Sequence, residues 1–211
     1  MNSGALNDFI CPQCRGELET IRTPVATDAL RCAGCRHAYP VVNGMPRFVP
    51  GEQYAGSFGF QWNKFRRTQL DSSVGLPLSR DRLMAVTAFD SDMSGCTILE
   101  AGSGAGRFTE VLVATGADIH SFDLSTAVDA NWANNGRAAN LQLFQASIFD
   151  VPLREQAFDH VVCLGVLQHT PDPDRAFRSL ARHVKPGGQI SIDVYARRLR
   201  ALVAWKYLLR P

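Results

Sequence analysis

Short apolar runs alternate with segments of helical periodicity along the second half of the chain. The runs begin at Thr97, Ala117, Leu141, Ala157 and Gln189, and each is typical of a buried strand. Between them, apolar residues recur three or four positions apart, which is typical of amphipathic helices. Because strands joined through helices pair in parallel, the pattern predicts an α/β fold with a parallel sheet and helices on both of its faces.

A glycine-rich turn at 102–106 follows the first of these strands, and a helix carrying Phe108 and Leu112 on one face begins directly after it. Glycine adopts positive φ without strain and lets a ligand approach the backbone. The helix directs its unpaired N–H groups and the positive end of its dipole at that ligand. A dinucleotide-binding turn, G-x-G-x-x-G, would require glycine where this chain has Arg107. The spacing therefore disfavours a dinucleotide.

An acidic residue ends the second predicted strand. Asp123 lies 21 residues beyond Gly102, where α/β nucleotide-binding folds place a carboxylate that accepts hydrogen bonds from the ribose hydroxyls. Further along the chain, a helix is predicted over Pro173 to Val184, and a turn at 185–188 (Lys-Pro-Gly-Gly) leads into the fifth strand. The glycine turn and Asp123 are therefore candidates for one ligand site.

Four cysteines near the N-terminus form two C-x-x-C pairs, Cys11 with Cys14 and Cys32 with Cys35. Each pair can present two thiolates to one ion, and two pairs complete a tetrahedral zinc site. Disulfides or free thiols are the alternative interpretation. His37 is expected at the surface, because four cysteines already fill the coordination shell. A segment this small buries little apolar surface, so the metal would supply stability.

Composition limits the classes of protein to consider. The chain has 211 residues, 45% of them hydrophobic, and a net charge of +2 that gives no electrostatic argument for nucleic-acid binding. No apolar run approaches the roughly 20 residues that span a bilayer. The first eight residues lack the basic start and apolar core of a secretory signal. We expect a soluble cytoplasmic protein.

The motifs of the second half, taken together, resemble the class I S-adenosylmethionine-dependent methyltransferases, in particular the type 11-like group. The matching stretches cover about 95 to 195 in the family's order: E-x-G-x-G-x-G from Glu100, Asp123-Leu124-Ser125, the segment 147–153, the loop 165–173 and the turn 185–188. The resemblance implies a Rossmann-like methyltransferase sheet and S-adenosylmethionine as cofactor. It implies cofactor contacts by Glu100, Ala101, Gly102, Ser103, Gly104, Gly106, Asp123, Leu124, Ser147, Ile148 and Leu164.

The resemblance also suggests roles within that set. In the family the glycines pass beneath the methionine part of the cofactor, and the acid of the first motif orients the loop and the amino group. Relatives often have an acid at the position of Ser147, so a side-chain contact with adenine there is less expected than a backbone contact. His169, in the loop after the fourth strand, is the first candidate for a catalytic base, and bracing of the turn is its alternative role.

The N-terminal cysteines, together with the stretch 36–46, resemble a small zinc-ribbon family that activates tRNA and protein methyltransferases. Some members of that family are fused to methyltransferase domains. The resemblance implies a structural zinc ribbon, which acts either as a cap on the neighbouring domain or as a surface for a protein partner.

Between the ribbon and the sheet lies a helical lead-in. Phe58, Trp62 and Phe65 form a one-sided stripe that either packs against the sheet domain or closes over the cofactor as a lid. The lead-in also carries four arginines that are expected on solvated helix faces or against an anionic substrate: Arg66, Arg67, Arg80 and Arg82.

These patterns divide the chain into a zinc ribbon at 1–50, a helical lead-in or lid at 51–94 and a methyltransferase domain at 95–211. The family's sheet has seven strands, but only 17 residues follow Val194, and they read as one basic amphipathic helix. We therefore expect a chain that lacks the last two strands because it is cut short. Self-association or membrane-surface contact through that helix is the alternative.

The sequence thus predicts methyl transfer from S-adenosylmethionine to an oxygen, nitrogen or carbon nucleophile of a small molecule. An rRNA or tRNA base is the rival acceptor, since zinc ribbons also precede this domain in rRNA guanine methyltransferases. A non-catalytic, cofactor-binding regulatory subunit is the third hypothesis. No clear basic stripe interleaved with aromatics supports nucleic acid as the acceptor.

Overall fold

The computed structural model describes residues 8–22, 28–49 and 56–194, and these residues contain two sheets. The N-terminal sheet is antiparallel with strand order β1-β2-β3-β4. Its strands are β1 Leu18–Arg22, β2 Asp28–Cys32, β3 Ala38–Val42 and β4 Met45–Pro46. The sequence predicted the first two of these strands but not β3 and β4.

The second sheet is parallel, with strand order β7-β6-β5-β8-β9. Its strands are β5 Thr97–Ala101, β6 Asp118–Asp123, β7 Leu141–Gln145, β8 Phe158–Leu164 and β9 Val184–Asp193. The helices are α1 Gly56–Lys64, α2 Asp71–Val74, α3 Leu78–Thr87, α4 Arg107–Val113, α5 Ala127–Asn135 and α6 Pro173–Ala181. All five strands point their carboxyl ends at one edge, where open α/β sheets bind ligands.

Helices cover both faces of the parallel sheet, as predicted. Neighbouring residues of the central strand β5 show this, because successive strand side chains point to opposite faces. Ile98 packs in an apolar cluster with Leu112 of α4, whereas Leu99 packs in a separate cluster with Leu180 of α6. The α/β fold of the sequence analysis is therefore confirmed.

The N-terminal ribbon shares a hydrophobic core with the parallel sheet. Phe9 and Phe48 contact Phe144 of β7, with ring centroids 5.1 Å and 6.4 Å apart. The backbone N–H of Phe48 donates to the Gln145 carbonyl across 2.8 Å, and Arg47 forms a parallel bridge with Gln145. The ribbon therefore covers the edge strand β7, which would otherwise present unpaired backbone groups.

The last helix and strand differ from their predicted bounds. Helix α6 ends at Ala181 instead of Val184, and β9 begins at Val184 instead of Gln189. The backbone amides of 156–158 pair with the carbonyls of Arg182 and His183, which draws the chain out of the helix. The residues 185–188 bulge from the strand, because Phe158 pairs with Val184 while His160 already pairs with Gln189.

Two predictions concern residues outside the described ranges. The predicted basic helix lies in 195–211, and the predicted ribbon boundary lies in 50–55. Neither range belongs to the described residues, and the side chain of Phe58 is not described either. Within the described ranges, none of the helices has the length and apolar character needed to cross a bilayer.

Candidate functional site

A cavity opens at the carboxyl ends of β5, β6 and β8. The glycine turn, the end of β6, the loop after β8 and the lead-in helices all contribute to its wall. Its lining includes Trp62, Arg66, Gln69, Leu70, Arg82, Gly102, Ser103, Gly104, Arg107, Phe108, Asp123, Leu124, Ile148, Leu164, Val166, His169 and Thr170. The two motifs proposed for one ligand therefore meet in one place.

The glycine turn needs glycine for two different reasons. Gly102, Gly104 and Gly106 all have positive φ, at 78°, 53° and 87°. A Cβ on Gly102 would lie 2.4 Å from a methyl group of Val166, so this glycine permits the loop after β8 to approach. A Cβ on Gly106 would lie 2.2 Å from the amide oxygen of Asn131, so this glycine permits the turn to pack on α5.

Asp123 is held rigidly at the end of β6. One carboxylate oxygen accepts a hydrogen bond from the Gly104 backbone N–H at 2.9 Å. The other accepts from both the backbone N–H and the hydroxyl of Ser125, at 2.8 Å and 2.7 Å. Burial raises the pKa of Asp123, although these donors act against the rise. The carboxylate thus links the glycine turn to the second strand and faces the cavity from its wall.

Glu100, at the end of the central strand, lies behind the turn and is not among the residues that line the cavity. It is only 3% exposed, and one of its oxygens accepts from Thr109 at 2.5 Å and from Ser121 at 2.7 Å. The other oxygen has no hydrogen-bond partner among the described residues. Burial raises the pKa of Glu100 to about 7. Its contacts brace α4 against β6.

The cavity suits a nucleoside cofactor that carries an amino acid. Ser103 Oγ is buried at the cavity wall and lacks a hydrogen-bond partner in the described part of the chain, so a polar group of a ligand would satisfy it. The glycine turn provides a backbone cradle, and Phe122, Leu124 and Ile148 provide apolar walls. A polar backbone cradle beside an apolar slot is what such a ligand requires.

The predicted cofactor residues divide into two groups. Those that line the cavity are Gly102, Ser103, Gly104, Asp123, Leu124, Ile148 and Leu164, together with the candidate base His169. Those that do not are Glu100, Ala101, Gly106 and Ser147. Ser147 instead accepts a hydrogen bond from the Phe149 backbone N–H at 3.2 Å and so shapes the turn.

Several lining residues were not assigned to the site from sequence, among them Gln69, Leu70, Arg107, Val166 and Thr170. Val166 and Thr170 could have been found, since both lie in the loop that carries His169. Gln69 and Leu70 belong to an irregular part of the lead-in, where no periodic pattern indicates which side chains face inward.

His169 ends the short 3₁₀ helix Leu167–His169 that follows β8. Its backbone N–H donates to the Val166 carbonyl at 2.9 Å, and the Thr170 hydroxyl donates to the Leu167 carbonyl at 2.7 Å. These bonds fix the loop across the cavity mouth. The His169 side chain is exposed and lines that mouth, so an imidazole there can reach both ligand and solvent.

The four ribbon cysteines converge on one point. Their sulfur atoms, from Cys11, Cys14, Cys32 and Cys35, all lie within 4.8 Å of one another. Tetrahedral zinc with Zn–S bonds of about 2.3 Å requires sulfur separations of about 3.8 Å, which this arrangement fits. The Cys35 backbone N–H donates to Cys32 Sγ at 3.4 Å and lowers the pKa of that thiol to about 6. His37 stays outside the cluster and its ring packs on Tyr39.

The two cysteine knuckles have matching backbone geometry. In each knuckle, the backbone N–H of the first cysteine donates to the backbone carbonyl five residues later. Cys11 pairs in this way with Gly16, and Cys32 with His37. The residue after each second cysteine has positive φ, at 61° for Arg15 and 66° for Arg36. Two equivalent knuckles that face each other are the arrangement a four-cysteine metal site requires.

The comparisons with known proteins agree with this architecture. The methyltransferase-domain family matches residues 99–192, and the Trm112p-like family matches residues 9–44. Two family models thus match successive parts of the chain, the Trm112p-like family over the ribbon and the methyltransferase-domain family over the parallel sheet.

Among curated relatives of the chain, the ubiquinone biosynthesis O-methyltransferase of Pseudomonas putida is 31% identical over 127 residues, which cover 57% of this chain and 55% of the relative. An uncharacterised protein of Synechococcus sp. is 37% identical over 110 residues, or 49% of this chain and 26% of the relative. The chain thus spans about half or less of the length of these relatives.

Solved structures share the fold of the methyltransferase domain. A chain of the complex that contains the Haloferax volcanii Trm112 methyltransferase activator aligns with a TM-score of 0.56 at 20% identity, over 74% of this chain and 68% of its own length. A SAM-dependent methyltransferase from Aquifex aeolicus aligns with a TM-score of 0.52 at 18% identity, over 64% and 71%. At these identities the likeness establishes the fold alone.

Proposed function

We propose that the chain transfers the methyl group of S-adenosylmethionine to a small-molecule acceptor. One observation carries this proposal: the glycine turn, Asp123 and the loop that bears His169 line the same cavity. The turn and Asp123 are cofactor-binding elements, whereas the loop faces the side from which an acceptor would enter.

The residues around the cavity have separable tasks. Asp123 would accept hydrogen bonds from the ribose hydroxyls, with its orientation set by Gly104 and Ser125. Trp62 of α1 lies against the turn, because a Cβ on Gly104 would lie 3.4 Å from the indole nitrogen. The indole covers the cofactor site and excludes water from it. This supports the lid hypothesis for Trp62.

Bound S-adenosylmethionine would supply a methyl group made electrophilic by the positive sulfonium. The protein's part is to align the acceptor and to remove its proton where the nucleophile is a hydroxyl. His169 lines the mouth of the cavity and is exposed, so it can pass that proton on to solvent. The relatives named for ubiquinone biosynthesis as O-methyltransferases favour a hydroxyl acceptor.

We also propose that the ribbon holds one structural zinc ion. The four sulfur atoms lie within 4.8 Å of one another, and four thiolates leave no open coordination position for catalysis. Phe9, Leu30 and Tyr39 of the ribbon are buried in the core that the sheet shares. Burial of this face supports the role of a cap on the domain.

The proposed reaction is tested by measuring S-adenosylhomocysteine release from S-adenosylmethionine with a panel of phenols and catechols, for wild type and for His169→Ala. Release that depends on the acceptor, with a lower kcat in the variant, supports small-molecule methylation. Salt-sensitive binding and methylation of RNA would support the rival acceptor class. Cofactor binding without turnover on either class would support a regulatory subunit.

A further inference from the structure

The arginines around the cavity form a group that the proposed mechanism does not use. Arg66 and Arg82, from the lead-in, and Arg107, which begins α4, all line the cavity. The other two arginines of the lead-in do not line it: Arg67 donates to Ser73 Oγ at 3.2 Å, and Arg80 lies beside a separate surface depression. Two of the four lead-in arginines therefore belong to the cavity wall.

Arg82 marks the end of the cavity opposite to Asp123. Its guanidinium pairs with the Asp193 carboxylate at the end of β9, and that carboxylate also accepts from the Gly165 backbone N–H after β8. Asp123 ends β6, three strands away from β9 in the sheet. At about 4.8 Å per strand, the two ends lie about 14 Å apart. The ribose end and the arginine end are therefore distinct.

The guanidinium groups of Arg82 and Arg107 are fixed in place. Arg107 donates to Ser79 Oγ and to Gln69 Oε1, both at 3.1 Å. The ring of Phe108 lies near both guanidinium groups. Its centroid is 4.7 Å from the Cζ atom of Arg107 and 5.5 Å from the Cζ atom of Arg82. Groups held in this way lose little further freedom when a ligand binds.

The three arginines that line the cavity leave a positive excess. Asp193 pairs with Arg82. The backbone N–H groups of Ser79 and Arg80 donate to the Asp71 carboxylate and lower its pKa against the effect of burial, and the charge of Arg107 adds to that lowering. Two of the three guanidinium groups therefore have a carboxylate nearby. The third, from Arg66, has no hydrogen-bond or ion-pair partner for its side chain among the described residues. The sulfonium of a bound cofactor would add a further positive charge. An anion is the complement to such a surface.

We propose that the methyl acceptor carries a carboxylate or phosphate group and that Arg66 and Arg107, which both line the cavity, hold it there. The inference rests on the proposed function and specifies its substrate class. The cofactor's own carboxylate has the same chemistry, so the test must separate these two sources.

The test uses the full chain saturated with S-adenosylhomocysteine, which already provides the cofactor's carboxylate. Benzoate, inorganic phosphate and the neutral benzyl alcohol are then titrated by calorimetry. We expect benzoate or phosphate to bind about tenfold or more tightly than benzyl alcohol, as a charge-assisted contact requires. Arg66→Gln should remove this preference, because it removes the charge that is proposed to hold the anion. The variant should still fold, because no other described side chain loses a partner. Arg67→Gln, at the neighbouring exposed position, should retain it.

The outcomes are distinct. Equal binding of benzoate, phosphate and benzyl alcohol, or an anion preference that survives Arg66→Gln, would overturn the inference. If Arg66→Gln weakens S-adenosylhomocysteine about tenfold but leaves 5′-methylthioadenosine unchanged, the arginine serves the cofactor's carboxylate, and the inference is also wrong. Failure of wild type and every variant to bind S-adenosylhomocysteine would instead refute the proposed function.

Discussion

The guanidinium of Arg47 donates to the side-chain oxygen of Gln145 across 3.3 Å and so joins the ribbon to the edge strand of the sheet. The amide nitrogen of Gln145 in turn donates to the Leu124 carbonyl at 2.8 Å. Leu124 lines the cavity directly after Asp123. A ribbon side chain therefore supports the segment that is proposed to hold the cofactor's ribose.

Replacement of Arg47 should weaken both the fold and cofactor binding. Arg47 is only 8% exposed and also pairs with Asp129, so Arg47→Met would leave Gln145 buried without one of its partners. We expect a loss of about 2 kcal/mol in the free energy of unfolding and weaker binding of S-adenosylhomocysteine. Urea denaturation and calorimetry measure the two effects.

Arg154→Met is the matched control for that variant. Arg154 also joins the ribbon to the sheet domain, through Glu17, but the two side chains are 58% and 66% exposed. An exposed pair contributes less than about 1 kcal/mol. If both variants leave cofactor affinity at the wild-type value, the ribbon does not support the site through Arg47.

Asp123→Asn should weaken S-adenosylhomocysteine about tenfold or more, because the substitution removes the charge from the proposed contacts with the ribose hydroxyls. Asp118→Asn is its control, since Asp118 begins the same strand and is exposed at the opposite end. Calorimetric titration gives both affinities. Unchanged affinity in Asp123→Asn, with the fold intact by circular dichroism, would remove the ribose role from this residue.

Glu100 should make stability depend on pH. Burial raises its pKa from 4.5 to about 7 in the folded chain, so the folded state prefers the protonated carboxyl. The contribution of Glu100 to the free energy of unfolding is fully present below its unfolded-state pKa. It is lost as the pH rises from there to the folded-state pKa. The loss amounts to about 3 kcal/mol.

Glu100→Gln should abolish that loss, because an amide oxygen can still accept from Thr109 and Ser121 but cannot ionise. Urea unfolding of both proteins at about pH 5 and about pH 8 tests this, since titration of every other group cancels in the difference. If the free energy of unfolding changes by the same amount between the two pH values in both proteins, ionisation of Glu100 does not destabilise the fold, and the prediction is wrong.

Cys32→Ser should cost the proposed zinc ion and destabilise the whole chain. Cys32 is fully buried, and its neighbours Leu30 and Tyr39 belong to the core shared with the sheet, so loss of the ribbon would expose part of that core. Cys96→Ser, outside the cysteine cluster, should retain the metal. Zinc is counted by mass spectrometry in each purified variant. A full zinc content in Cys32→Ser would contradict the four-cysteine site.

The sequence predicted the elements that local signals specify. Each strand of the parallel sheet contains a short run rich in apolar residues, and the turn at Gly102 to Gly106 needs residues that tolerate positive φ, so both are visible without the fold. The cysteine pairs were equally clear, since metal binding requires ligands at fixed spacing. Their convergence confirms the predicted cluster.

The sequence could not show which side chains each element turns toward the cavity. Glu100 and Gly106 belong to the predicted motif, yet the first is buried behind the turn and the second packs on α5. The contact of Phe48 with Phe144 joins residues 96 positions apart, and no periodicity records such a pairing. The end of α6 was misjudged because the backbone pairing of Arg182 and His183 with a distant segment decides it.

Calorimetric titration of S-adenosylmethionine and of NADH into this chain, with zinc counted in the same sample, tests the central claim most directly. We expect S-adenosylmethionine to bind with one site per chain, NADH not to bind, and one zinc ion to be present. Binding of NADH alone would contradict the account, since it would assign the glycine turn and Asp123 to a different cofactor.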